Sequence, residues 1–187
     1  MRSNHQLIQD FKNGDATAFS KILELNQDYI YTLTYSILKN REEAQEVTQD
    51  TFIKAYKNLA KYNEEAKLRS WLYKIAYRTA LDKIRQRKKS IGLNEVGFSQ
   101  EYTQSLYEDN LERKELSGQL EKAISYLNPK EAAILKLFYL EEKNIKELVL
   151  ITSYSESNIK VILFRARKNL ATVIKERFTE VENYLIS

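Results

Sequence analysis

The scarcity of helix-breaking residues constrains the fold more than any other feature of the sequence. Four glycines and one proline occur in 187 residues, and these two residue types interrupt helices and dominate turns. Apolar residues recur at helical spacing along most of the chain, with no convincing strand run. The sequence therefore predicts an all-α protein, and its length suits two small helical domains.

The side chains that usually carry chemistry are nearly missing. There is no cysteine and one histidine, His5, which we expect to lie in a frayed N-terminus. The absence of cysteine excludes disulfides and thiolate metal sites, and a single histidine cannot anchor a metal cluster or a catalytic triad. We therefore expect no catalytic residue, no metal, no cofactor and no enzymatic activity.

Membrane and secretion signals are also missing. No apolar stretch approaches the roughly 20 residues that a membrane-spanning helix needs. The N-terminus "MRSNHQLIQD" lacks the apolar core of a secretion signal. We expect a soluble, cytoplasmic protein with no membrane span. Its net charge of +4 is mild, so the positions of the charges matter more than their sum.

Cap residues and apolar spacing divide the chain into two helical units. In the N-terminal unit, residues 1–89, helices are predicted to begin near Asp15 and near Asn26 or Asp28. The two later helices of this unit are predicted at about 41–59 and 68–87.

A predicted linker and a C-terminal unit follow. Residues 90–112 hold five acidic residues and no lysine or arginine, and their apolar spacing is irregular. The C-terminal unit, residues 113–187, contains a clear helix start, with Asn128 as the cap and Pro129 at the first helical position.

The stretch "LRSWLYKIAYRTALDKIRQRKK" combines the single tryptophan with dense positive charge. Four of its residues fall within an arc of roughly 60° at helical spacing: Trp71, Lys74, Arg78 and Arg85. Cations hold a phosphate backbone and a ring can stack on an unpaired base, so this stripe suits separated nucleic-acid strands. Periodicity alone favours the alternative, in which Trp71 is the edge of a core and the cations form a solvated face.

The same helix has two further features. Tyr73 and Tyr77 lie on its opposite side, and we expect them to pack against a neighbouring helix. The tail "KIRQRKK" concentrates positive charge, which costs self-repulsion unless a polyanion is near. Its expected partner is duplex phosphate.

The segment "NREEAQEVTQDTFIKAY" carries a stripe of acidic and neighbouring residues on one side of a predicted helix. We call it the acidic stripe: Glu43, Glu46, Gln49, Asp50 and Ile53. Acidic residues in the first turns of a helix interact favourably with its dipole, so a solvated face accounts for them. An acidic stripe could equally dock a basic protein helix.

The segment "IKELVLITSYSESNIKVILFRARKNL" is typical of a helix-turn-helix. A short helix is predicted at Ile145–Thr152, with a turn at Ser153 and Tyr154, and Ser155 caps the second helix. One side of the second helix is an apolar stripe: Ile159, Leu163, Ala166, Leu170 and Val173. The other side we call the α8 DNA face: Ser157, Lys160, Val161, Phe164, Arg165, Arg167 and Lys168. A recognition helix needs one apolar side that packs on its own domain and one polar side that enters the major groove. An ordinary amphipathic helix has the same two sides.

Together these motifs resemble sigma factors of the extracytoplasmic-function type, the smallest members of the sigma-70 family. The family's acidic segment ending in Gln-Glu-Thr-Phe is similar to "EAQEVTQDTFIKAY", and its Trp-Leu-Tyr-Arg-Ile-Ala motif to "WLYKIA". Its Leu-Pro-Pro helix start is similar to "LNPKEAAILKLFYLEE", and its Arg-Ala-Arg ending to residues 165–167. Order and spacing agree over nearly the whole chain.

The resemblance implies a division of roles. The acidic stripe would bind the clamp helices of the largest subunit of core RNA polymerase. The N-terminal unit would be the family's region 2, which captures a flipped base of the −10 element and holds the opened strands. The C-terminal unit would be region 4, which reads the −35 duplex with the α8 DNA face. The polymerase flap region and an anti-sigma factor are further implied partners. The region 2 contacts are expected at Tyr62, Asn63, Lys67, Arg69, Trp71, Lys74, Arg78, Arg85 and Arg87.

Some residues depart from the family pattern. The helix-turn-helix has Ser153 where a glycine is usual and Thr152 where a leucine is usual. Val161 and Ile162 replace a serine and an arginine, so we expect −35 recognition to be weakened or directed to an A·T-rich element. In the family the flipped base is captured by a loop before the tryptophan helix, here "YNEEAKLRS". This loop also lacks its usual glycine, and Glu64 and its neighbour Glu65 bring negative charge near the DNA.

Two other functions are consistent with the sequence. The first is a DNA-binding regulator that uses the helix-turn-helix without delivering polymerase to promoters. The second is a helical interaction protein that binds neither DNA nor polymerase.

Overall fold

The computed structural model describes residues 2–90 and 111–178, which form eight α-helices and no strand. The all-α prediction is confirmed for this part of the chain. The N-terminal group is α1 (Asn4–Lys12), α2 (Ala16–Leu38), α3 (Arg41–Leu59) and α4 (Leu68–Ser90). The C-terminal group is α5 (Leu111–Ser125), α6 (Pro129–Tyr139), α7 (Ile145–Thr152) and α8 (Glu156–Arg177). The predicted linker, residues 90–112, lies outside the described residues except at its two ends, which are helical.

Cap chemistry determines most of the helix starts. The Asp15 carboxylate accepts a hydrogen bond from the Thr17 amide at 2.9 Å and caps α2, as predicted. Asn128 caps α6, with Pro129 at its first position, and Ser155 caps α8. These three predictions are confirmed. A cap side chain bonds to an amide within three residues, so neighbouring sequence positions are enough to predict it.

The predicted helix start near Asn26 or Asp28 is wrong. α2 runs without a break from Ala16 to Leu38. Asn26 is buried inside it, and its side-chain amide donates to the Ile22 carbonyl at 2.7 Å. A side chain with capping chemistry can thus be satisfied one turn back along a continuous helix.

The expectation of a frayed N-terminus is also wrong. Ser3 accepts a hydrogen bond from the Gln6 amide at 3.2 Å and caps α1, which packs against α2. Leu7 and Ile8 are almost fully buried. The burial of these two side chains holds α1 in place. His5 therefore lies in an ordered helix and not in a frayed end.

One apolar cluster runs through both groups of helices. α4 packs against α7 across the chain, and α2 packs against α6. Tyr73 and Tyr77 of α4 are fully buried in this cluster, which confirms that they pack against neighbouring helices. The Tyr77 ring meets that of Tyr154 edge-on at 6.4 Å between centroids. Leu148 of α7 belongs to the same cluster and is fully buried.

A lysine joins the two groups and makes the stability depend on pH. Lys39 caps α2 and donates to the Leu127 carbonyl in the connection between α5 and α6. Burial lowers its pKa from 10.5 to about 8. Between these values the unfolded chain holds a proton that the folded chain has released, so the free energy of unfolding should rise with pH through this window.

Lys39→Met should remove that rise, which we expect to amount to about 1 kcal/mol after allowance for partial solvent exposure. The measurement is urea unfolding of both proteins at several pH values from 7.5 to 10.5. Lys39→Arg is the matched variant, because its guanidinium stays charged throughout, and should also lack the rise. Parallel curves for wild type and Lys39→Met would contradict the prediction.

Candidate polymerase and DNA interfaces

The acidic stripe lies along α3, whose start is capped by Asn40. The side-chain oxygen of Asn40 accepts a hydrogen bond from the Glu43 amide at 2.9 Å, which fixes the first turn of α3. Glu46, Gln49 and Ile53 are exposed, whereas Glu43 and Asp50 are half-buried. Ile53 is 52% exposed, so a large apolar side chain lies at the surface beside these acidic residues.

Two members of the acidic stripe pair with cations of α4. Glu46 lies 2.5 Å from the Lys83 ammonium, and Glu43 pairs with the Arg87 guanidinium. Glu43, a predicted polymerase contact, is thereby paired with Arg87, a predicted DNA contact. The Glu46 carboxylate is exposed, so its pair with Lys83 contributes little stability and a competing partner can displace it at low cost.

An apolar groove of about 490 Å³ borders the acidic stripe between α2 and α3. Phe19, Leu23, Phe52 and Tyr56 supply its apolar lining, together with Ile53. Tyr56 was not among the predicted site residues, and it is 47% exposed. The spacing of Gln49, Ile53 and Tyr56, at i, i+4 and i+7, is a signal that would have placed them on one face.

The predicted strand-binding stripe of α4 is only partly solvated. The half-buried Trp71 packs against Tyr62, with 5.0 Å between ring centroids, and therefore lies at the edge of the core. Lys74 is half-buried, while Arg78 and Arg85 are exposed. Arg78 donates to the Ser153 hydroxyl in the α7–α8 turn at 2.9 Å. The core-edge position and a role in DNA contact are compatible, because one side of the ring is packed and the residue keeps some exposure.

The remaining predicted region 2 residues differ in position. Asn63 and Lys67 are exposed, whereas Tyr62 is buried and its hydroxyl donates to the Ala66 carbonyl. Burial raises the pKa of the Tyr62 hydroxyl. Arg69 turns towards α2, with its guanidinium 3.8 Å from the centre of the Tyr29 ring.

The helix-turn-helix has the predicted helix and turn positions. The buried side of α8 includes Ile159, Leu163 and Ala166. Every residue of the α8 DNA face is exposed, and Phe164 most among the large apolar side chains, at 67%. Arg167 is exposed but donates to the Tyr139 hydroxyl of α6 at 2.7 Å.

The turn accommodates both departures from the family pattern. Ser153 ends α7 with a φ of 64°, the left-handed conformation that glycine would take more easily. Thr152 is buried, and its hydroxyl donates to the Leu148 carbonyl at 2.7 Å. A capping box between Asn144 and Glu147 starts α7. The geometry of the motif therefore survives without its usual glycine and leucine.

A second apolar groove, of about 650 Å³, lies between α5, α6 and α8. Tyr139 and Leu140, which line it, are about half exposed. Sequence reasoning missed this surface because its residues come from three helices.

Within residues 2–90 and 111–178, no group of three or more His, Cys, Asp or Glu side chains could hold a metal ion. None of the helices in these ranges is both long and apolar enough to cross a membrane.

Comparison with known families gives two matches in chain order. Residues 22–90 match the model of sigma-70 region 2, and residues 117–170 match that of sigma-70 region 4. The chain is 30% identical over 178 residues to the ECF RNA polymerase sigma factor SigW of Bacillus subtilis, covering 90% of this chain and 95% of SigW.

Two solved structures have a similar fold. The sigma factor RpoE of Bartonella quintana, in complex with the anti-sigma factor NepR, matches with a TM-score of 0.70 and 19% identity, over 84% of this chain and 96% of RpoE. CnrH, in complex with the cytosolic domain of CnrY, matches with a TM-score of 0.65 and 18% identity, over 91% of this chain and 96% of CnrH. With regions 2 and 4 in order and SigW matched almost end to end, the chain belongs to the sigma-70 family, as an extracytoplasmic-function sigma factor that directs transcription initiation.

Proposed function

We propose that this sigma factor binds core RNA polymerase, opens the −10 element with region 2 and reads the −35 element with region 4. Region 2 is residues 1–89 and region 4 is residues 113–187, with residues 90–112 linking them. The observation that carries the proposal is that every residue of the α8 DNA face is exposed, on a helix whose other side is buried. No bond chemistry is assigned to this chain, since the polymerase supplies catalysis.

Reading of the −35 element depends on which side chains of α8 face outwards. Val161 is exposed, whereas Ile162 is half-buried against the core, so only one of the two unusual apolar residues is available to DNA. Val161 and Phe164 lie three residues apart and form an apolar patch among cations. Such a patch contacts thymine methyl groups in a major groove, which favours an A·T-rich element.

Opening of the −10 element uses the α4 stripe. Removing one base from the stack costs a few kcal/mol, and stacking of a base on a ring contributes roughly 1–3 kcal/mol. Trp71 supplies the ring, and Lys74, Arg78 and Arg85 supply cations for the phosphates. Simultaneous binding of duplex by region 4 raises the effective concentration of promoter DNA at region 2.

Binding of polymerase uses the acidic stripe and the grooves. The carboxylates of the acidic stripe, of which Glu46 is exposed, attract the clamp helices of the largest subunit. Ile53 with the adjoining groove offers an apolar anchor. The apolar groove between α5, α6 and α8 is the surface proposed for the flap region. An anti-sigma factor is a further partner, supported by the complex that RpoE forms with the anti-sigma factor NepR. The site of action is the cytoplasm.

Ile53→Asp tests the polymerase contact, because it places a charge at the proposed apolar anchor. We expect its affinity for purified core polymerase to fall by about tenfold or more, measured by fluorescence anisotropy. Asn58→Asp, on another side of α3, is the control and should bind as wild type does.

Promoter-dependent transcription with the same polymerase tests the function as a whole. Wild type should support initiation, and a reagent for unpaired thymines should detect an opened −10 element. A regulator of the helix-turn-helix type would bind duplex DNA without initiation, and a helical interaction protein would do neither. Either result would overturn the proposal.

A further inference from the structure

Helix α1 precedes the part of the chain that matches sigma-70 region 2, which begins at residue 22. Its apolar side is anchored in the protein body, since Leu7 and Ile8 are buried. The Phe11 ring also meets the Tyr56 ring edge-on, with 5.2 Å between centroids. α1 is therefore firmly packed through its apolar side, and its polar side is available for contacts with other parts of the protein.

The polar side of α1 contacts the loop between α3 and α4. His5, Gln9 and Lys12 lie at i, i+4 and i+7, which places them on one face of the helix. The His5 Nδ1 is 2.7 Å from one carboxylate oxygen of Glu64, and the Gln9 amide donates to the other at 3.1 Å. The Lys12 ammonium donates to the Tyr62 carbonyl at 2.8 Å. Three consecutive turns of one helix thus hold two residues of one loop.

The loop needs this support because its backbone is strained. Glu64 has a φ of 61°, in the left-handed region that is unfavourable for a residue with a Cβ. Such a conformation persists where its surroundings impose it. The hydrogen bond with His5 also holds the pKa of the Glu64 carboxyl below its ordinary value, so the side chain is a stable anion there. Its charge is directed to α1 rather than presented to DNA.

The contact extends to the tryptophan. Tyr62, whose carbonyl is held by Lys12, packs its ring against Trp71. Its hydroxyl also closes the loop on the Ala66 carbonyl. The position of α1 therefore bears on both the loop and the aromatic edge of α4.

We propose that α1 is a positioning element for base capture: the His5 and Gln9 contacts to Glu64 hold residues 60–67 in the shape that receives the unpaired base of the −10 element. This inference rests on the proposed opening function of region 2. His5, Gln9 and Glu64 act through loop shape and touch no DNA themselves.

The test uses full-length protein in holoenzyme, on promoters that the wild-type holoenzyme selects from genomic DNA. The variant His5→Ala/Gln9→Ala should open these promoters about tenfold more weakly, since two hydrogen bonds to a charged group are lost. Opening is followed by the reactivity of unpaired thymines to permanganate. Preference for the native base at the captured position should fall as well, while affinity for core polymerase stays unchanged. A general loss of folding would reduce polymerase affinity and would leave base preference intact.

A double-mutant cycle ties the effect to Glu64. Glu64→Ala alone should cause the same loss, and His5→Ala/Gln9→Ala should add nothing in that background. His5→Gln keeps a hydrogen-bond donor and should restore most of the opening relative to His5→Ala. Gln6→Ala, at an exposed position of α1, is the matched control and should open promoters as wild type does.

Three results would overturn the inference. The first is normal opening and base preference by His5→Ala/Gln9→Ala, and the second is an equal further loss in the Glu64→Ala background. In both cases the wild-type holoenzyme still opens its promoters, so the proposed function survives. The third, a wild type that initiates no opening, would remove the proposed function and this inference with it.

Discussion

Holoenzyme carrying Trp71→Ala together with Lys74→Ala, Arg78→Ala and Arg85→Ala is expected to open its promoters at least about 100-fold more weakly than wild type. Loss of the ring alone removes roughly 1–3 kcal/mol of base stacking, and each 1.4 kcal/mol corresponds to a factor of ten. The three lost cations weaken phosphate binding further. Permanganate reactivity of thymines in the −10 element measures the effect.

Trp71→Phe is the matched variant for the ring. It keeps an aromatic surface beside Tyr62 and should retain most of the opening, with unchanged binding to −35 duplex. Because Trp71 also packs against Tyr62, circular dichroism should show that the fourfold variant remains folded. Equal opening by the fourfold variant and wild type would mean that α4 does not hold the separated strands.

Leu148→Ala is expected to lower the free energy of unfolding by about 2–5 kcal/mol, the usual cost of truncating a fully buried leucine. Leu148 is in α7, but its cluster includes the core of the N-terminal helices. The midpoint of Trp71 fluorescence, which comes from the single tryptophan in α4, should therefore shift together with the midpoint of circular dichroism.

Leu150→Ala is the control for this experiment, since Leu150 lies in the same helix and is 48% exposed. Its effect on the free energy of unfolding should stay within about 0.5 kcal/mol. A Leu148→Ala protein whose Trp71 fluorescence unfolds at the wild-type midpoint would show that the two groups of helices unfold independently.

Much of the fold could be predicted because helix caps and helical periodicity depend only on residues close together in the sequence. The Asp15, Asn128 and Ser155 caps act within three residues of their own position. The bounds of the helix-turn-helix followed from the same chemistry, and the exposed side of α8 followed from helical periodicity. α1 was missed although Leu7, Ile8 and Phe11 have helical spacing, because a short helix at a terminus depends on what it packs against.

The partners of the charged side chains could not be predicted in the same way. Glu43 and Glu46 meet Arg87 and Lys83 only because α3 packs beside α4. Likewise, Glu64 was expected to place negative charge near DNA, whereas the structure directs it to His5 of α1. Periodicity states which residues share a face, and it contains no information about the element opposite.

The sequence by itself determined that this chain is helical, where six of its helices begin to within a few residues, and which faces of α3, α4 and α8 carry charge. Caps, periodicity and helix-breaking residues act over one or two turns, so they can be read from neighbouring positions. The tertiary structure alone decided that one apolar cluster joins both groups of helices, that grooves border α3 and α8, and that α1 holds the loop before Trp71. These features arise from contacts between residues far apart in the chain, whose energies depend on how the helices pack.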